Sequence, residues 1–435
     1  MEARERELYD VVGIGFGPSN LSLAIALEEH YGADKDNSLS AAFFEKQASL
    51  GWHRNMLLPE AKMQISFLKD LATFRNPVSR FSFISYLHSA GRLAHFVNNQ
   101  DFFPTRQEFH DYLEWAETRV SDRVRYNTRV RSIRLPETAD GGLVDSVRIE
   151  VDNGEGGTKL VDARNVVIST GLVPKMPVGI ERTENVWHSS EFLERFRGWN
   201  HGEKKRVAVV GAGQSAAEIV RFIYDTVPDA EISVILSAYG YSIADDTPFA
   251  NRIFDAAAVD DYYHGTDRSR AAFWKHHRNT NYGVADDEVI RDLFRRVYHD
   301  EVRKTPRLNF LNLSRVDRVK QVGNDTRVTV NSLLTEESYD IDVDVMICST
   351  GYESMEPTEI LGDLEPYCVR DDEGRFRVER DYRLVTTPEL QCGIYLQGGT
   401  EHTHGLASSL LSNIAVRSGE IADSIADRRQ AKLAG

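Results

Sequence analysis

Short, wholly apolar runs that end in glycine alternate along this chain with stretches carrying an apolar residue every third or fourth position. The first is Tyr9-Asp10-Val11-Val12-Gly13-Ile14-Gly15-Phe16-Gly17-Pro18-Ser19-Asn20, after which Leu21, Leu23, Ala24 and Leu27 recur at helical spacing. That pattern predicts strand, tight turn and helix. The glycines let the backbone approach a pyrophosphate, and the helix N-terminus offers free N–H groups and the positive end of a dipole. Pro18 replaces the third glycine of G-x-G-x-x-G and suits a first helical turn, having no N–H to leave unpaired. Ala41 to Lys46 reads as the second strand, and Glu45 stands where a carboxylate meets ribose hydroxyls. A solvated strand-end Glu45 is the alternative.

Gly51-Trp52-His53-Arg54-Asn55 and Met63-Gln64-Ile65-Ser66-Phe67-Leu68-Lys69-Asp70-Leu71 follow neither period. Polar groups interleaved with aromatics suit a ligand-lining loop, although packing alone can produce the same mixture. Helices are expected over 85–91 and 106–120, and strands over 124–135, 142–151 and 161–171. The last of these ends in Ser169-Thr170-Gly171. A second strand, Lys205 to Val210, then runs into Gly211-Ala212-Gly213-Gln214-Ser215-Ala216, a G-x-G-x-x-A turn whose Ala216 permits close helix–strand packing. From 244 to 299 the chain reads as a polar, helical insertion. Asp344 to Tyr352 repeats the strand-Ser-Thr-Gly form, Gly393 to Gly398 is a last strand, and 406–426 a closing helix. Two Ser-Thr-Gly strands flanking the second turn predict crossovers. The fold class is therefore α/β, with two Rossmann-like dinucleotide-binding domains, the second inserted in the first.

Composition narrows the function. A chain of 435 residues exceeds one ordinary core. A formal charge of -15 argues against non-specific nucleic-acid binding. Cys348, Cys368 and Cys392 have neither disulfide-framework nor C-x-x-C spacing, which favours a reducing cytoplasm, and no redox pair follows the first turn. No segment has the apolar length to span a bilayer, and the charged stretch Met1 to Glu7 does not read as a signal peptide. Glu401-His402-Thr403-His404 would place two histidines on one strand face, but no third ligand sits at suitable spacing, so no metal is expected.

These motifs resemble the flavin-dependent N-hydroxylating monooxygenases, which hydroxylate the side-chain amine of ornithine or lysine for siderophore synthesis. The resemblance covers nearly the whole chain. It rests on Gly13 to Asn20, Met63 to Leu71, Gly211 to Glu218, Ala244 to Asn251, Asn281-Tyr282, Ser349-Thr350-Gly351-Tyr352 and His404-Gly405-Leu406. Phe102 to Arg106 and Leu410-Leu411-Ser412 are most similar to ornithine enzymes. The resemblance implies an FAD domain over 1–172 and 345–435, and an NADPH domain over 173–344 with a helical substrate subdomain at about 245–300.

It further implies that Gly13, Gly15, Gly17, Pro18, Ser19, Asn20 and Glu45 hold FAD, with Trp52, His53, Gln64, Gly351, Tyr352 and Gly405 around the cofactors. Gly211, Gly213, Gln214 and Ser215 would hold NADPH. Lys69 would pair with the substrate carboxylate, Asn251 would bind the head group, and Leu406 would line the pocket. Asn281 and Gln64 would serve the reacting centre, where a flavin C4a-hydroperoxide formed from molecular oxygen hydroxylates L-ornithine. A homo-tetramer is implied as well. Two positions depart from the family pattern. Ser237-Ala238 stands where an arginine for the NADPH 2′-phosphate is usual, which admits NADH, and Ala407 replaces a serine frequent in ornithine enzymes, which admits L-lysine. A diamine hydroxylase, a flavin monooxygenase acting on sulfur or ketones, and a non-catalytic dinucleotide sensor are the other readings.

Overall fold

The computed structural model describes residues 7–31, 38–137, 142–152, 156–200, 205–323 and 325–434. The start of the charged N-terminal stretch, the turn at Asp140-Gly141 and most of the Tyr31–Ser40 connection lie outside them. Four-residue apolar runs form strands buried on both faces, as parallel sheets require. The first sheet runs Gly393–Leu396, Asn165–Ile168, Val11–Ile14, Ala41–Phe44, Val124–Arg125, all parallel. Val11, Phe43, Val167 and Tyr395 face a layer that includes helices Pro18–Tyr31 and Ile414–Ala434. Val12, Ile14, Phe44 and Val166 face the opposite way, onto the antiparallel strands Val130–Arg134, Val147–Asp152 and Thr158–Ala163.

The second unit repeats this plan. Its parallel sheet runs Val186–His188, Val345–Cys348, Arg206–Val210, Glu231–Ile235, Leu308–Leu311. Val207 and Val209 pack towards helix Gln214–Thr226, while Ala208 and Val210 pack on the meander Ser314–Val322, Asp325–Ser332, Ser338–Val343. The chain leaves the first unit through Leu172–Pro174 and returns through Tyr352–Ser354, and these strands pair antiparallel. The α/β class, with one doubly wound unit inserted in another, is thus as the sequence implied. No helix among the described residues is long and apolar enough to cross a membrane.

Several elements differ from their sequence outlines. The strand expected over 124–135 splits because Asn127 takes a left-handed φ of 51°, so its halves enter different sheets. The closing helix starts only at Ile414; Gly405 (φ 72°) and the extended Leu410 confine 406–413 to single 3-10 turns. Glu401–His404 is a helical turn, not a strand, and His404 is buried against the Tyr382 ring with its Nε2 on the Arg380 carbonyl. Helix Leu93–Asn99 escaped notice because it spans only two turns and buries no residue fully, although Leu93 and Phe96 pack against the core.

Candidate functional site

The two glycine turns are built alike. Gly15 has φ +82°, and a Cβ there would lie 2.4 Å from the Ser169 carbonyl oxygen; Gly211 has φ +139°, and its Cβ would lie 2.3 Å from that of Ser349. Each turn therefore rests on the serine of a Ser-Thr-Gly strand, which explains the echo in the sequence. A Cβ on Gly13 would strike the Phe43 ring at 2.2 Å, whereas Gly17 faces open space, leaving the turn free on its ligand side. Buried Asn20 closes the first turn by donating to the Gly15 carbonyl at 2.7 Å.

Glu45 is buried and accepts the backbone N–H groups of Phe16 and Gln47, each at 2.8 Å. Each carboxylate oxygen keeps a further lone pair, so one side chain can both brace the turn and accept ribose hydroxyls. Pro18 opens the helix and Ser19 follows, its Oγ receiving the Arg417 guanidinium at 3.2 Å. Arg417 is only 1% exposed and meets no carboxylate among the described residues; its other donors reach Ser408 O and Gln397 Oε1. A buried cation with no ion-pair partner among the described residues, behind a helix N-terminus, suits a diphosphate. These residues fit FAD.

Between the units, Trp52, His53 and Tyr352 gather: Trp52 and His53 rings lie 4.5 Å apart, and Tyr352 sits 6.0 Å from His53 and 5.0 Å from His188. The Gly351 carbonyl accepts His188 Nε2 at 3.0 Å. His53 is solvent-exposed although protein surrounds it closely, and this partial desolvation, with the Arg106 guanidinium nearby, holds its pKa below the ordinary imidazole value.

Gln64 Nε2 donates to Asp286 Oδ1 at 3.1 Å, and Gln214 Nε2 donates to Asp286 Oδ2 and to Glu218 Oε1, each at 2.9 Å. Arg106 completes the chain with a two-pronged pair to Glu218 at 2.9 Å, with side-chain exposures of 11% and 1%. Glu218→Gln, close in shape but uncharged, is expected to cost about 1.5–3 kcal/mol. A lowered melting temperature with an FAD content equal to wild type checks this. Ser215, beside Gln214 in the first helical turn, is half-buried, and Gly213 has nothing nearer its Cβ direction than the Val284 carbonyl at 3.8 Å.

A third wall comes from the helical insertion. Half-buried Lys69 forms no ion pair among the described residues; its Nζ lies 5.7 Å from the Phe254 ring. Burial holds its pKa below the usual lysine value, partly opposed by Asp255. Phe254 ends the turn Arg252–Phe254, which directly follows Asn251 and packs against Leu406–Ser409. Asn251 spends its Nδ2 on the Asp246 carbonyl at 2.6 Å, leaving Oδ1 available. Asn281 is half-buried beside Tyr282, whose hydroxyl donates to Glu401 Oε1 at 2.6 Å. Leu406 is buried, and at Gly405 an added Cβ would come within 3.1 Å of the Tyr262 ring.

A cavity of about 230 Å³ opens at the carboxyl ends of Asn165–Ile168 and Gly393–Leu396, where doubly wound sheets take ligands, lined by Thr170, Ser354, Arg375, Gln397 and His402. None of Lys69, Asn251, Asn281 or Leu406 borders it. Sequence reading missed Asp286 and Arg417, which carry no motif, and, although Glu218 ends the Gly211 to Glu218 run, it gave that residue no role; Glu401 was likewise missed in its pairing with Tyr282. Burial keeps His404 at about 4 and holds His188 below the ordinary imidazole value. Since the unfolded chain binds these protons first, stability is expected to fall as pH drops from about 6.5 towards 4. Thermal melts across that window, with His404→Gln flattening the slope, test this.

Two linked doubly wound units, each with a glycine turn seated on a Ser-Thr-Gly strand, define a two-dinucleotide oxidoreductase. The chain belongs to the L-lysine 6-monooxygenase/L-ornithine 5-monooxygenase family, whose model matches residues 7–354. The ornithine N-hydroxylase of Kutzneria sp. 744, solved with reduced FAD, NADP+ and L-ornithine, is 61% identical with a TM-score of 0.93, over 97% of this chain and 100% of that one. The L-ornithine N(5)-monooxygenase of Pseudomonas aeruginosa is 34% identical over 423 residues, 96% of this chain and 94% of that protein. An L-lysine 6-monooxygenase from Pseudomonas syringae is more distant, 29% identical with a TM-score of 0.84, over 97% of this chain and 99% of that one.

Proposed function

We propose that this chain is an FAD- and NADPH-dependent monooxygenase that hydroxylates the side-chain amine of L-ornithine, in the service of hydroxamate siderophore synthesis. The observation that carries the reading is Lys69, a desolvated cation with no carboxylate partner among the described residues, set against the segment that bears Asn251. Lys69 grips the α-carboxylate, Asn251 Oδ1 accepts from the α-ammonium group, and Asn281 aims the far nitrogen. Bound FAD supplies the redox and oxygen-activating chemistry, and NADPH the hydride. The protein excludes water and favours the neutral amine, since a free alkyl ammonium titrates near ~10.4 and desolvation lowers that value.

Ornithine is favoured over lysine by the 61% identical ornithine hydroxylase. One methylene is worth only about 1–3 kcal/mol in a pocket, so lysine is expected to bind weakly and to release peroxide instead of product. A hydroxylamine assay with ornithine, lysine and putrescine, with peroxide measured alongside, tests the assignment. Coupled product from lysine or putrescine alone would overturn it. The domain reading is FAD-binding over 1–172 and 345–435, and NADPH-binding over 173–344 with the substrate insertion at about 245–300.

Because Ser237 offers no charge to a 2′-phosphate, NADH is expected to serve as well, at reduced efficiency. Ser237→Arg should then raise the NADPH-over-NADH ratio of kcat/KM by about tenfold or more, the worth of one charge-assisted bond. A cytoplasmic homo-tetramer completes the proposal. The three buried, free cysteines fit a reducing compartment, and light scattering tests the assembly.

A further inference from the structure

Asp286 immediately precedes helix Asp287–Arg303 and holds its N-cap position, yet its side chain caps no N–H of that helix. An aspartate there ordinarily contributes about 1 kcal/mol through such a bond. Here both oxygens turn the other way, Oδ1 to Gln64 Nε2 at 3.1 Å and Oδ2 to Gln214 Nε2 at 2.9 Å. The Asp286 backbone N–H also donates to Gln214 Oε1 at 2.8 Å, so the Gln214 amide is pinned at both ends. Gln64 belongs to the first unit, Gln214 to the second glycine turn, and Asp286 to the helical insertion. One carboxylate joins all three.

An ionised carboxylate can only accept hydrogen bonds. Gln64 must therefore direct its NH2 group at Asp286, which leaves Oε1 as the acceptor on the side away from that carboxylate. An asparagine at 286 could present either end of its own amide, and the Gln64 orientation would no longer be dictated. We propose that Asp286 is a positioning residue for the hydroxylation, holding Gln64 with its amide oxygen towards the reacting centre and tying that orientation to the NADPH-binding turn. This rests on the proposed hydroxylation and on the place at the reacting centre that the family resemblance implies for Gln64.

The test uses FAD-loaded wild type, Asp286→Asn, Asp286→Ser, Gln64→Ala and the Gln64→Ala/Asp286→Asn double variant. The readouts are FAD content, the visible band of the bound flavin, and the fraction of consumed NADPH that yields hydroxylated amine. Asp286→Asn should keep its FAD while the coupled fraction falls at least threefold and the flavin band moves as it does in Gln64→Ala. The double variant should be no worse than Gln64→Ala alone, because both changes remove one orientation. Wild-type coupling in FAD-replete Asp286→Asn, or a double variant whose loss is the product of the single losses, overturns the proposal. Should Asp286→Asn fail to fold, Asp286→Ser, a residue well suited to the N-cap position but too short to hold Gln64, decides the matter in its place. Full coupling in Gln64→Ala removes the premise and the inference with it. The flavin band decides the inference even where no amine is hydroxylated, so the two readings fail separately.

Discussion

Lys69→Met raises the KM for L-ornithine by about 30-fold or more and leaves anaerobic flavin reduction by NADPH near its wild-type rate. Truncating one member of a desolvated charge pair costs about 2–5 kcal/mol, and each 1.4 kcal/mol is tenfold. Methionine preserves the length and apolar stem that pack near Phe254, so the loss reports the charge and not a cavity. The protein itself should gain stability or stay level, since an unpaired, half-buried ammonium is removed. An unchanged KM in steady-state kinetics would detach Lys69 from the substrate. Putrescine, which has no carboxylate, should respond to the substitution far less than ornithine, and that contrast separates recognition from general damage.

Gly211→Ala produces a yellow protein that NADPH scarcely bleaches. The new methyl would stand 2.3 Å from the Ser349 carbonyl oxygen, on a backbone with φ +139° that L-residues avoid. Neither the carbonyl nor the turn can give way cheaply, because Ser349 N–H is held by the Val210 carbonyl at 2.7 Å and Gly211 N–H by that of Ile235 at 3.1 Å. The strain is several kcal/mol and falls on the second turn alone. Stopped-flow reduction should slow by at least 100-fold while FAD absorbance persists. The matching Gly15→Ala should instead deplete FAD, since its clash is with Ser169 in the first unit. Wild-type reduction in Gly211→Ala would mean that this turn does not seat the nicotinamide cofactor.

The parts legible in the sequence are the local ones. Apolar runs such as Val11–Ile14 and Arg206–Val210, with the glycines that follow, state strand, turn and helix within a dozen residues. Even the repeated Ser-Thr-Gly was visible, although its purpose, a carbonyl seat for each turn, needed coordinates. What escaped is non-local. Gln64 and Asp286 are separated by 222 residues, Arg106 and Glu218 by 112, and Ser19 and Arg417 by 398. No periodicity connects such positions. Short-range geometry failed where one residue switches the backbone, as at Asn127, and where Glu401–His404 coils instead of extending.

Arg417 carries a consequence for how the protein is made. Its guanidinium is buried and forms no ion pair among the described residues, with Glu420 acting on it only at a distance. Lying behind the first glycine turn through Ser19, it would be stabilised by the diphosphate of the dinucleotide, and binding the flavin and consolidating the core would then be one thermodynamic event. Cells short of riboflavin would then accumulate little of this enzyme, and free FAD in a refolding mixture would act as a template for the fold.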